Sequence, residues 1–448
     1  MNSLGYLVFI VLLAIVFIIV SNNKLKWHPL LALLVSALFV GFASGMDSEK
    51  IITLIGTGFG SILSGIGLIV VLGTVIGVYT EKSGALDVIA GIIIQLFGKN
   101  KISSAAAFLG ASVSIQVFCD SGFIILSKMI KKVARKGGIK SASLSLALAA
   151  GLYTTHTLIP PTPGPVVVAG NLGISDQLGI IVLTGILVSV PVLLVSTFLA
   201  NKLGQSIDVS CAKEEEYVDE VKMNPLWAFT PILVPILLIT LASVIKIFEL
   251  DSLFSHVFIF LGNPFLALLI GVFLSMIQVY GKCSLQEQQE YFKKGIEQAG
   301  PIVLITGAGS SLGNVLKGTA IADHLSLFFH TSDDSFFFLS IAAFLITAFL
   351  KTAQGSSTSA LVIGGALIAP VVASMEGVST FQLSLLVMSL GGGAMTVSHA
   401  NDSYFWVVTQ FSGFRVRDGY KGLTLITLVQ GLTTLATVLI LYWLSLLL

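Results

Sequence analysis

Charge is scarce in this chain. Asp, Glu, Lys and Arg make up 10% of 448 residues, whereas hydrophobic residues make up 55%. Soluble globular domains carry roughly a quarter charged residues, so this composition excludes a soluble domain. The net charge of +1 leaves no excess of basic residues for binding nucleic acid. Because apolar runs recur from end to end, the sequence predicts an all-α polytopic membrane protein that contacts lipid.

Cysteine and the common cofactor motifs are also scarce. The three cysteines, Cys119, Cys211 and Cys283, are far apart and lack metal-ligand spacing, which excludes a disulfide framework or a zinc site. The sequence contains no phosphate-binding loop and no HExxH, and the glycines of Gly56–Gly65 follow no strand. No serine has an identifiable base motif, which disfavours an intramembrane hydrolase. We therefore expect a transporter without cofactor or metal, driven by an ion gradient or running downhill.

Apolar runs suited to crossing a bilayer recur ten times. A helix needs about 20 residues to cross the hydrocarbon core, with a usual range of about 17 to 25. Five runs precede the polar stretch 201–223 and five follow it. The predicted spans are Ser3–Val20, Pro29–Ala43, Ser61–Tyr79, Ser141–Leu158, Leu178–Leu199, Leu226–Ile247, Val257–Tyr280, Pro301–Val315, Phe381–Val397 and Leu423–Leu446.

Four further segments form two matching pairs. Ala85–Phe97 and Thr319–Phe329 are short, which favours helices lying in the membrane interface. Ile102–Ile130 and Ser335–Ala373 are longer, and a cluster of small polar residues interrupts each near its middle. These clusters are CDSG at Cys119–Gly122 and QGSSTS at Gln354–Ser359. The pattern predicts two re-entrant hairpins whose tips meet inside the membrane.

The distribution of lysine and arginine predicts the topology. If each hairpin enters and leaves by one face, basic loops such as Lys128–Lys140 and Arg415–Lys421 all lie on one side. Basic loops stay cytoplasmic, so both termini are predicted to lie outside. Five crossings per half is an odd number, which predicts inverted repeats: 1–200, a cytoplasmic linker 201–224, and 225–448. Weak internal echoes in register support the repeat, namely Gly77 with Gly313, Asp87 with Asp323, Gln116 with Gln354 and His156 with His399.

Two of the apolar regions are broken at their centres. Thr154–Gly173 contains four prolines, and proline cannot continue a regular helix at these spacings. Thr396–Trp406 (TVSHANDSYFW) interrupts the second half in the same way. Irregular backbone at membrane depth survives only where protein or a water-filled cavity satisfies it, so both breaks predict a cavity. The alternative for the first is that PPTPGP forms an external loop.

Small and hydroxylated residues mark the predicted substrate site. Helix ends at hairpin tips and breaks attract anions through free amides, and hydroxyl groups suit a hydroxylated carboxylate. The alternative for the serines is close helix packing. The predicted substrate-binding residues are Ser121, Gly122, Thr162, Gly164, Gln354, Ser356, Ser357, Thr358, Asn401 and Ser403.

Four ionisable residues are candidates for carrying a coupled proton: Asp120, His156, His399 and Asp402. Ionisable groups inside a membrane are costly and usually functional. The alternatives are that the aspartates cap helices and that the histidines are structural hydrogen-bonding residues. Lys351 either offsets substrate charge or extends to an interface.

Three stretches resemble signature motifs of the gluconate permease family: His156–Gly173, Ser398–Trp406 and the acidic hairpin Phe118–Ile130. The resemblance in segment order covers essentially the whole chain. It implies a bacterial inner-membrane proton symporter of sugar acids such as gluconate, idonate or glycerate-like acids, with one branch taking D-serine. It also implies the fold of a wider ion transporter superfamily with inverted repeats, paired hairpins, elevator motion and a homodimeric assembly.

The resemblance carries over only at matching positions, which are His156, Pro160, Pro161, Pro163, Gly164, Pro165, His399, Asn401 and Asp402. Family members often have histidine where this chain has Thr162 and glutamate where it has Asp120. Both departures fall at predicted substrate or proton positions. The sequence therefore predicts import of a small hydroxylated carboxylate by proton symport, with a sodium/proton antiporter or a sodium-coupled organic anion transporter as the alternative.

Overall fold

The computed structural model describes residues 4–97, 101–137, 140–207, 209, 223–247, 252–319, 335–375 and 377–447. Within these ranges the chain is helical and contains no strand. The α-helices of the first half are α1 (Leu4–Asn23), α2 (Pro29–Ala43), α3 (Ser48–Ile62), α4 (Leu68–Lys82), α5 (Ala85–Phe97), α6 (Ile102–Val113), α7 (Cys119–Gly137), α8 (Ser141–Leu158), α9 (Pro163–Asn171) and α10 (Leu178–Gly204).

The second half begins with four helices that lead up to residue 319. All its described α-helices are α11 (Pro225–Ile247), α12 (Leu253–Leu261), α13 (Pro264–Val279), α14 (Leu285–Lys317), α15 (Ser335–Gln354), α16 (Ser357–Ala373), α17 (Thr380–Met395), α18 (Ser403–Ser412), α19 (Val416–Gly419) and α20 (Leu425–Ser445). A π-helical turn at Leu63–Gly67 joins α3 to α4, and another at Tyr420–Thr424 joins α19 to α20.

The multi-pass membrane architecture is confirmed. Seven helical runs in the described residues are long and apolar enough to cross a membrane. The spans predicted at Ser3–Val20, Pro29–Ala43 and Phe381–Val397 correspond to shorter apolar helices. Conversely, Phe336–Gln354, predicted as one arm of a hairpin, is itself long enough to cross. Re-entry of that hairpin therefore stays a prediction.

Two spans begin earlier than predicted, at Ser48 and Leu285 instead of Ser61 and Pro301. The reason is local capping. The Asp47 carboxylate accepts hydrogen bonds from two amides of the first turn of α3, and Ser284 forms a capping box with Glu287. Such polar first turns extend a helix beyond its apolar core, so hydropathy alone misplaced both ends.

The predicted span Val257–Tyr280 is not one straight helix. It consists of α12 and α13, which meet at an angle of 69° around Gly262 and Asn263. Asn263 caps α13 by accepting the amide hydrogen of Phe265, and Pro264 occupies the first turn. Asparagine followed by proline is a strong helix start, and it overrides the continuous apolar pattern.

The predicted hairpin breaks are present. α6 ends at Val113 and α7 begins at Cys119, while α15 ends at Gln354 and α16 begins at Ser357. Of the two predicted interfacial segments, Ala85–Phe97 is helix α5. The other, Thr319–Phe329, lies outside the described residues from position 320 onward, as does most of the predicted linker 201–224.

Both predicted helix breaks are also present. α8 ends at Leu158 and α9 starts at Pro163, and every residue from Pro160 to Pro165 is buried. Burial rules out the alternative that PPTPGP is an external loop. In the second half α17 ends at Met395 and α18 starts at Ser403.

The helices form two packed groups. α2, α3 and α4 pack against α14, and α13 packs against α4. In the other group α8 packs between α6 and α10, and α17 packs between α15 and α20. α16 joins the groups because it contacts α14, α9 and α15. Both hairpins and both broken helices therefore lie in or beside the second group.

Glycine allows the closest of these contacts. A Cβ at Gly151 in α8 would lie 1.9 Å from the backbone oxygen of Ala107 in α6. We expect Gly151→Ala to lower the free energy of unfolding by about 1–3 kcal/mol because the helices must separate. Gly91→Ala in α5 is the control, since nothing lies within 4 Å of its Cβ position. Thermal unfolding in detergent measures both; equal midpoints would contradict this packing.

Candidate functional site

A lysine and an aspartate form an ion pair inside the protein. Lys351, near the end of α15, is 0% exposed, and its Nζ lies 2.5 Å from Oδ2 of Asp402. The same Nζ donates to the backbone oxygen of Gly355 at 3.2 Å. Ser398 donates its hydroxyl to the same Asp402 oxygen at 2.5 Å. Lys351 is thus held by the second hairpin and the second helix break, which rules out the alternative that it extends to an interface.

Asp402 has a second role as the cap of α18. Its Oδ1 accepts the amide hydrogen of Tyr404 at 3.1 Å. An aspartate at this position satisfies a free first-turn amide and interacts favourably with the positive end of the helix. The capping role predicted as the alternative for Asp402 is therefore present, and its role in carrying a proton stays a prediction.

Two tyrosines form an aromatic wall beside the ion pair. The Tyr153 and Tyr404 rings stack with centroids 4.8 Å apart, and Lys351 Nζ lies 5.8 Å from the Tyr153 centroid. Tyr404 donates its hydroxyl to the backbone oxygen of Ala149 at 2.8 Å. The Tyr153 hydroxyl lies beside Ser357, but it makes no hydrogen bond of proper geometry. A cation near an aromatic face is stabilised by the ring quadrupole.

The first hairpin meets the second helix break through Asp120. Ser403 donates its hydroxyl to Oδ2 of Asp120 at 3.1 Å. The other carboxylate oxygen, Oδ1, is buried and has no hydrogen-bond partner. Because Ser403 directly follows Asp402 in the chain, the two aspartates belong to one site although they are 282 positions apart in sequence.

The tip of the second hairpin packs against residues His399–Asp402, the HAND segment. Gly355 has a φ of +78°, and a Cβ there would lie 2.1 Å from the backbone oxygen of Asn401. Asn401 donates its side-chain amide to the backbone oxygen of Thr352 at 2.8 Å. His399 Nε2 lies 3.0 Å from that oxygen. Only glycine fits such a close approach at a left-handed φ, so the HAND segment positions the hairpin.

The serine cluster after this tip begins α16. Ser356 caps the helix by accepting the amide hydrogen of Ser359 at 3.2 Å. Ser357 is buried and Thr358 is half-buried. Both polar atoms of the Gln354 side chain are buried without a partner. The binding roles predicted for these four residues stay predictions, and Gln354 is the one with free hydrogen-bonding groups.

The first helix break encloses a smaller space. A cavity of about 10 Å³ is lined by Gln116, His156 and Thr162, among others. This volume is about that of one water probe sphere. The Gln116 amide and His156 Nδ1 are buried and unpartnered, whereas Thr162 donates its hydroxyl to the backbone oxygen of Ile159 at 2.5 Å. The His156 ring lies 5.8 Å from that of Phe118.

Three other residues predicted to bind substrate lie at contacts between helices or at the tip of the first hairpin. A Cβ at Gly122 would lie 2.8 Å from Leu152, and one at Gly164 would lie 2.5 Å from Leu361. Both glycines thus permit close packing of the tip and of α9 against neighbouring helices. Ser121 is half-buried beside Asp120. Their part in binding stays a prediction.

Three features of this site were not predicted from the sequence. They are the pairing of Lys351 with Asp402, the presence of Tyr153 and the presence of Gln116. Two signals in the sequence were available. Lys351 stands in an apolar run just before the QGSSTS tip, and Gln116 occupies the position in the first half that echoes Gln354. Tyr153 offered no signal, since an isolated tyrosine in an apolar helix is ordinary.

The site has unused hydrogen-bonding capacity. Most buried polar groups in proteins have a partner, and leaving one unpaired costs about 1–3 kcal/mol. The unpartnered atoms belong to residues on both hairpins and on α8. They are both amide atoms of Gln116 and of Gln354, Asp120 Oδ1, the Tyr153 hydroxyl and His156 Nδ1. These atoms are able to form hydrogen bonds with a polar ligand or with water.

Comparison with known proteins places the chain among transporters. Residues 6–444 match the model of the GntP family permeases. The chain is 29% identical to a gluconate permease of Pseudomonas aeruginosa, covering 98% of each chain. It is 27% identical to the D-serine transporter DsdX of Escherichia coli, covering 97% of this chain and 98% of that one.

The fold also matches a solved transporter. The crystal structure of the Alcanivorax borkumensis YdaH transporter aligns with a TM-score of 0.69 over 94% of this chain and 99% of that chain, at 15% identity. At this identity the match shows similarity of fold alone. The family match covers nearly the whole sequence, from the first helix to the last. The chain is therefore a member of the GntP permease family, a multi-pass membrane transporter and not an enzyme.

Proposed function

We propose that this protein is a secondary active transporter that imports a small hydroxylated carboxylate by proton symport. The observation that carries the proposal is the buried ion pair of Lys351 and Asp402, together with unpartnered buried polar atoms on both hairpins and on α8. Ionisable groups at such depth mark substrate and ion pathways. The proposed substrate is a gluconate-like sugar acid, a glycerate-like acid or D-serine; gluconate and D-serine are named in the relatives' descriptions.

The substrate carboxylate would bind where helices begin. α7 starts beside Asp120, α16 at Ser357 and α18 at Ser403. Their first-turn amides and helix dipoles favour an anion, and Lys351 adds a positive charge. The Gln354 amide, which has no hydrogen-bond partner, and the Ser357 hydroxyl would bind substrate hydroxyl groups. Ser121, Thr358 and Asn401 complete the proposed contacts.

Charge balance favours entry of one positive charge with each carboxylate, and we propose that a proton carries it. With both aspartates ionised and Lys351 protonated, the three groups carry a net charge of −1 (+1 − 1 − 1). A substrate carboxylate would add a second negative charge to a site of low dielectric, which is unfavourable. A proton on Asp120 restores the original charge, and its unpartnered Oδ1 is the oxygen available to take it. We therefore assign the coupled proton to Asp120, with His156 and His399 as further carriers.

The proposed architecture is that of an elevator. In it, 1–200 and 225–448 are inverted repeats joined by a cytoplasmic linker, and two copies form a homodimer. The group containing the hairpins and broken helices would move relative to the group around α14. The protein would lie in the bacterial cytoplasmic membrane with both termini outside. The recurrence of a broken hairpin followed by a broken helix in each half supports the repeat.

Uptake into proteoliposomes tests the function. Gluconate, glycerate and D-serine would be supplied outside in sodium-free buffer with the lumen alkaline. We expect at least one of them to accumulate, and a protonophore to abolish accumulation. Uptake that survives the protonophore but needs sodium would contradict proton coupling. Sodium-driven proton exchange without uptake of any organic acid would identify a sodium/proton antiporter instead.

A further inference from the structure

A second cavity lies between α3, α9, α14 and α16. We propose that it is a vestibule that binds the substrate carboxylate before the substrate reaches the site between the hairpin tips. This inference rests on the proposed function. The cavity has a volume of about 170 Å³. Its polar lining comes from Ser61, Asn171, Ser310, Asn314 and Lys317. This is the chemistry of an anion site for a small hydroxylated acid, with one cation, two amides and two hydroxyls.

The charge of the cavity has a single sign. Lys317 is the only charged residue among the described residues that line it, and it is exposed. No carboxylate lies among those residues to neutralise the ammonium group. A lysine at the mouth of a cleft raises the local concentration of anions and their rate of entry. The cavity therefore favours an anion over a neutral sugar or a cation.

One lining group also lacks a partner. The Asn171 side-chain nitrogen Nδ2 is buried and makes no hydrogen bond. It lies next to α16, since a Cβ at Gly365 would be 3.2 Å from this nitrogen. Asn314, by contrast, donates its amide to the backbone oxygen of Leu54 and to Thr57. The Asn171 amide is thus a free donor for a carboxylate or hydroxyl oxygen in the cavity.

The vestibule lies farther along α9 and α16 than the first residues of these helices, which adjoin the hairpin-tip site. α9 runs from Pro163 to Asn171 and α16 from Ser357 past Ala366. At 1.5 Å per residue, Pro163 and Asn171 are about 12 Å apart along the axis of α9, and Ser357 and Ala366 are about 14 Å apart along the axis of α16. The vestibule is therefore separate from the ion pair of Lys351 and Asp402. It lies near the C-terminal end of α14, on the side predicted to face out.

Small residues keep this space open. Gly170, Gly313, Ala366 and Ala369 line the cavity. A Cβ at Gly313 would lie 3.0 Å from the backbone oxygen of Ala366, so α14 and α16 approach closely beside it. Residues with longer side chains at these positions would fill the vestibule. The volume of about 170 Å³ is many times the space that a single water molecule needs, which suits an acid of a few carbons.

Lys317 has an alternative structural role that the test must separate. It lies in the last turn of α14, where a positive charge offsets the helix dipole. That role would affect stability and leave the substrate dependence of uptake unchanged. A vestibule affects how readily the substrate binds from solution, so its loss changes KM and the salt dependence of KM. The maximal rate of uptake is set by later steps and should not change.

The experiment compares initial rates of gluconate and glycerate uptake in wild type, Lys317→Gln, Lys317→Arg and Asn171→Leu. Lys50→Gln is the matched control, because Lys50 is an exposed lysine on α3 that does not line the cavity. We expect Lys317→Gln to raise KM roughly 3- to 10-fold at low salt with kcat unchanged, and the difference to shrink at high salt. Lys317→Arg should retain most of the wild-type KM, and Asn171→Leu should raise it.

Two results would overturn the vestibule while leaving the proposed function intact. One is a KM for Lys317→Gln within twofold of wild type. The other is an equal rise in Lys50→Gln, which would mean a general effect of surface charge. If wild type takes up neither acid nor D-serine, the proposed function fails and the vestibule fails with it.

Discussion

Replacing Lys351 by methionine is expected to reduce uptake to the level of empty liposomes. Lys351 Nζ is the cation that pairs with Asp402 inside the protein. Without it, the Asp402 carboxylate keeps the Ser398 hydroxyl and the Tyr404 amide as its hydrogen-bond partners among the described residues. Breaking a buried ion pair at one partner costs about 3–5 kcal/mol. We expect the free energy of unfolding to fall by that amount and substrate binding to be lost, as measured by thermal unfolding and by uptake.

A double variant separates stability from function. Lys351→Met/Asp402→Asn removes both charges, and asparagine still caps α18 because it is as good a cap as aspartate. Replacing both members of a buried pair is often neutral, so most of the lost stability should return. Uptake should not return, since the positive charge for the substrate carboxylate is still absent. Restored uptake would show that the pair is only structural.

Asp120→Asn is expected to uncouple transport from the proton gradient. Asparagine retains an oxygen for the Ser403 hydroxyl but cannot take up a proton at the position of Oδ1. A gradient of one pH unit supplies about 1.4 kcal/mol per proton, which supports about tenfold accumulation. We expect accumulation by the variant to fall to the equilibrium level, while exchange of labelled for unlabelled substrate continues. Proteoliposome uptake and counterflow measure the two activities.

Asp176→Asn is the control for this variant, since Asp176 is exposed in the turn before α10. It should accumulate substrate as wild type does. Wild-type accumulation by Asp120→Asn, with sensitivity to a protonophore intact, would assign the proton to another group. Variants of His156 and His399 would then be tested in the same way.

The broken helices and hairpins were predictable because their causes are local. Pro160, Pro161, Pro163 and Pro165 cannot continue a regular helix, whatever surrounds them. The clusters at Cys119–Gly122 and Gln354–Ser359 contain residues that start helices and turns. The predicted starts of two helices were wrong because polar caps extend these helices beyond their apolar cores, to Ser48 and Leu285.

The pairing within the site was not predictable, because the partners are far apart in sequence. Lys351 and Asp402 are 51 positions apart, and Asp120 and Ser403 are 283 positions apart. Sequence patterns identified Asp120, Asp402 and Ser403 as members of a site. For Lys351 they left two roles open, offsetting the substrate charge or extending to the membrane interface. The stacking of Tyr153 on Tyr404 depends on the packing of α18 against α8, which no local pattern encodes.

If each carboxylate enters together with a proton, substrate uptake must move protons into the lumen. Proteoliposomes would carry a pH-sensitive dye inside, with no gradient imposed and no sodium present. On addition of the acid that supports uptake, we expect acidification of the lumen that matches substrate entry, about one proton per molecule from the charge balance. Substrate entry without acidification, or entry only when sodium is added, would contradict proton symport.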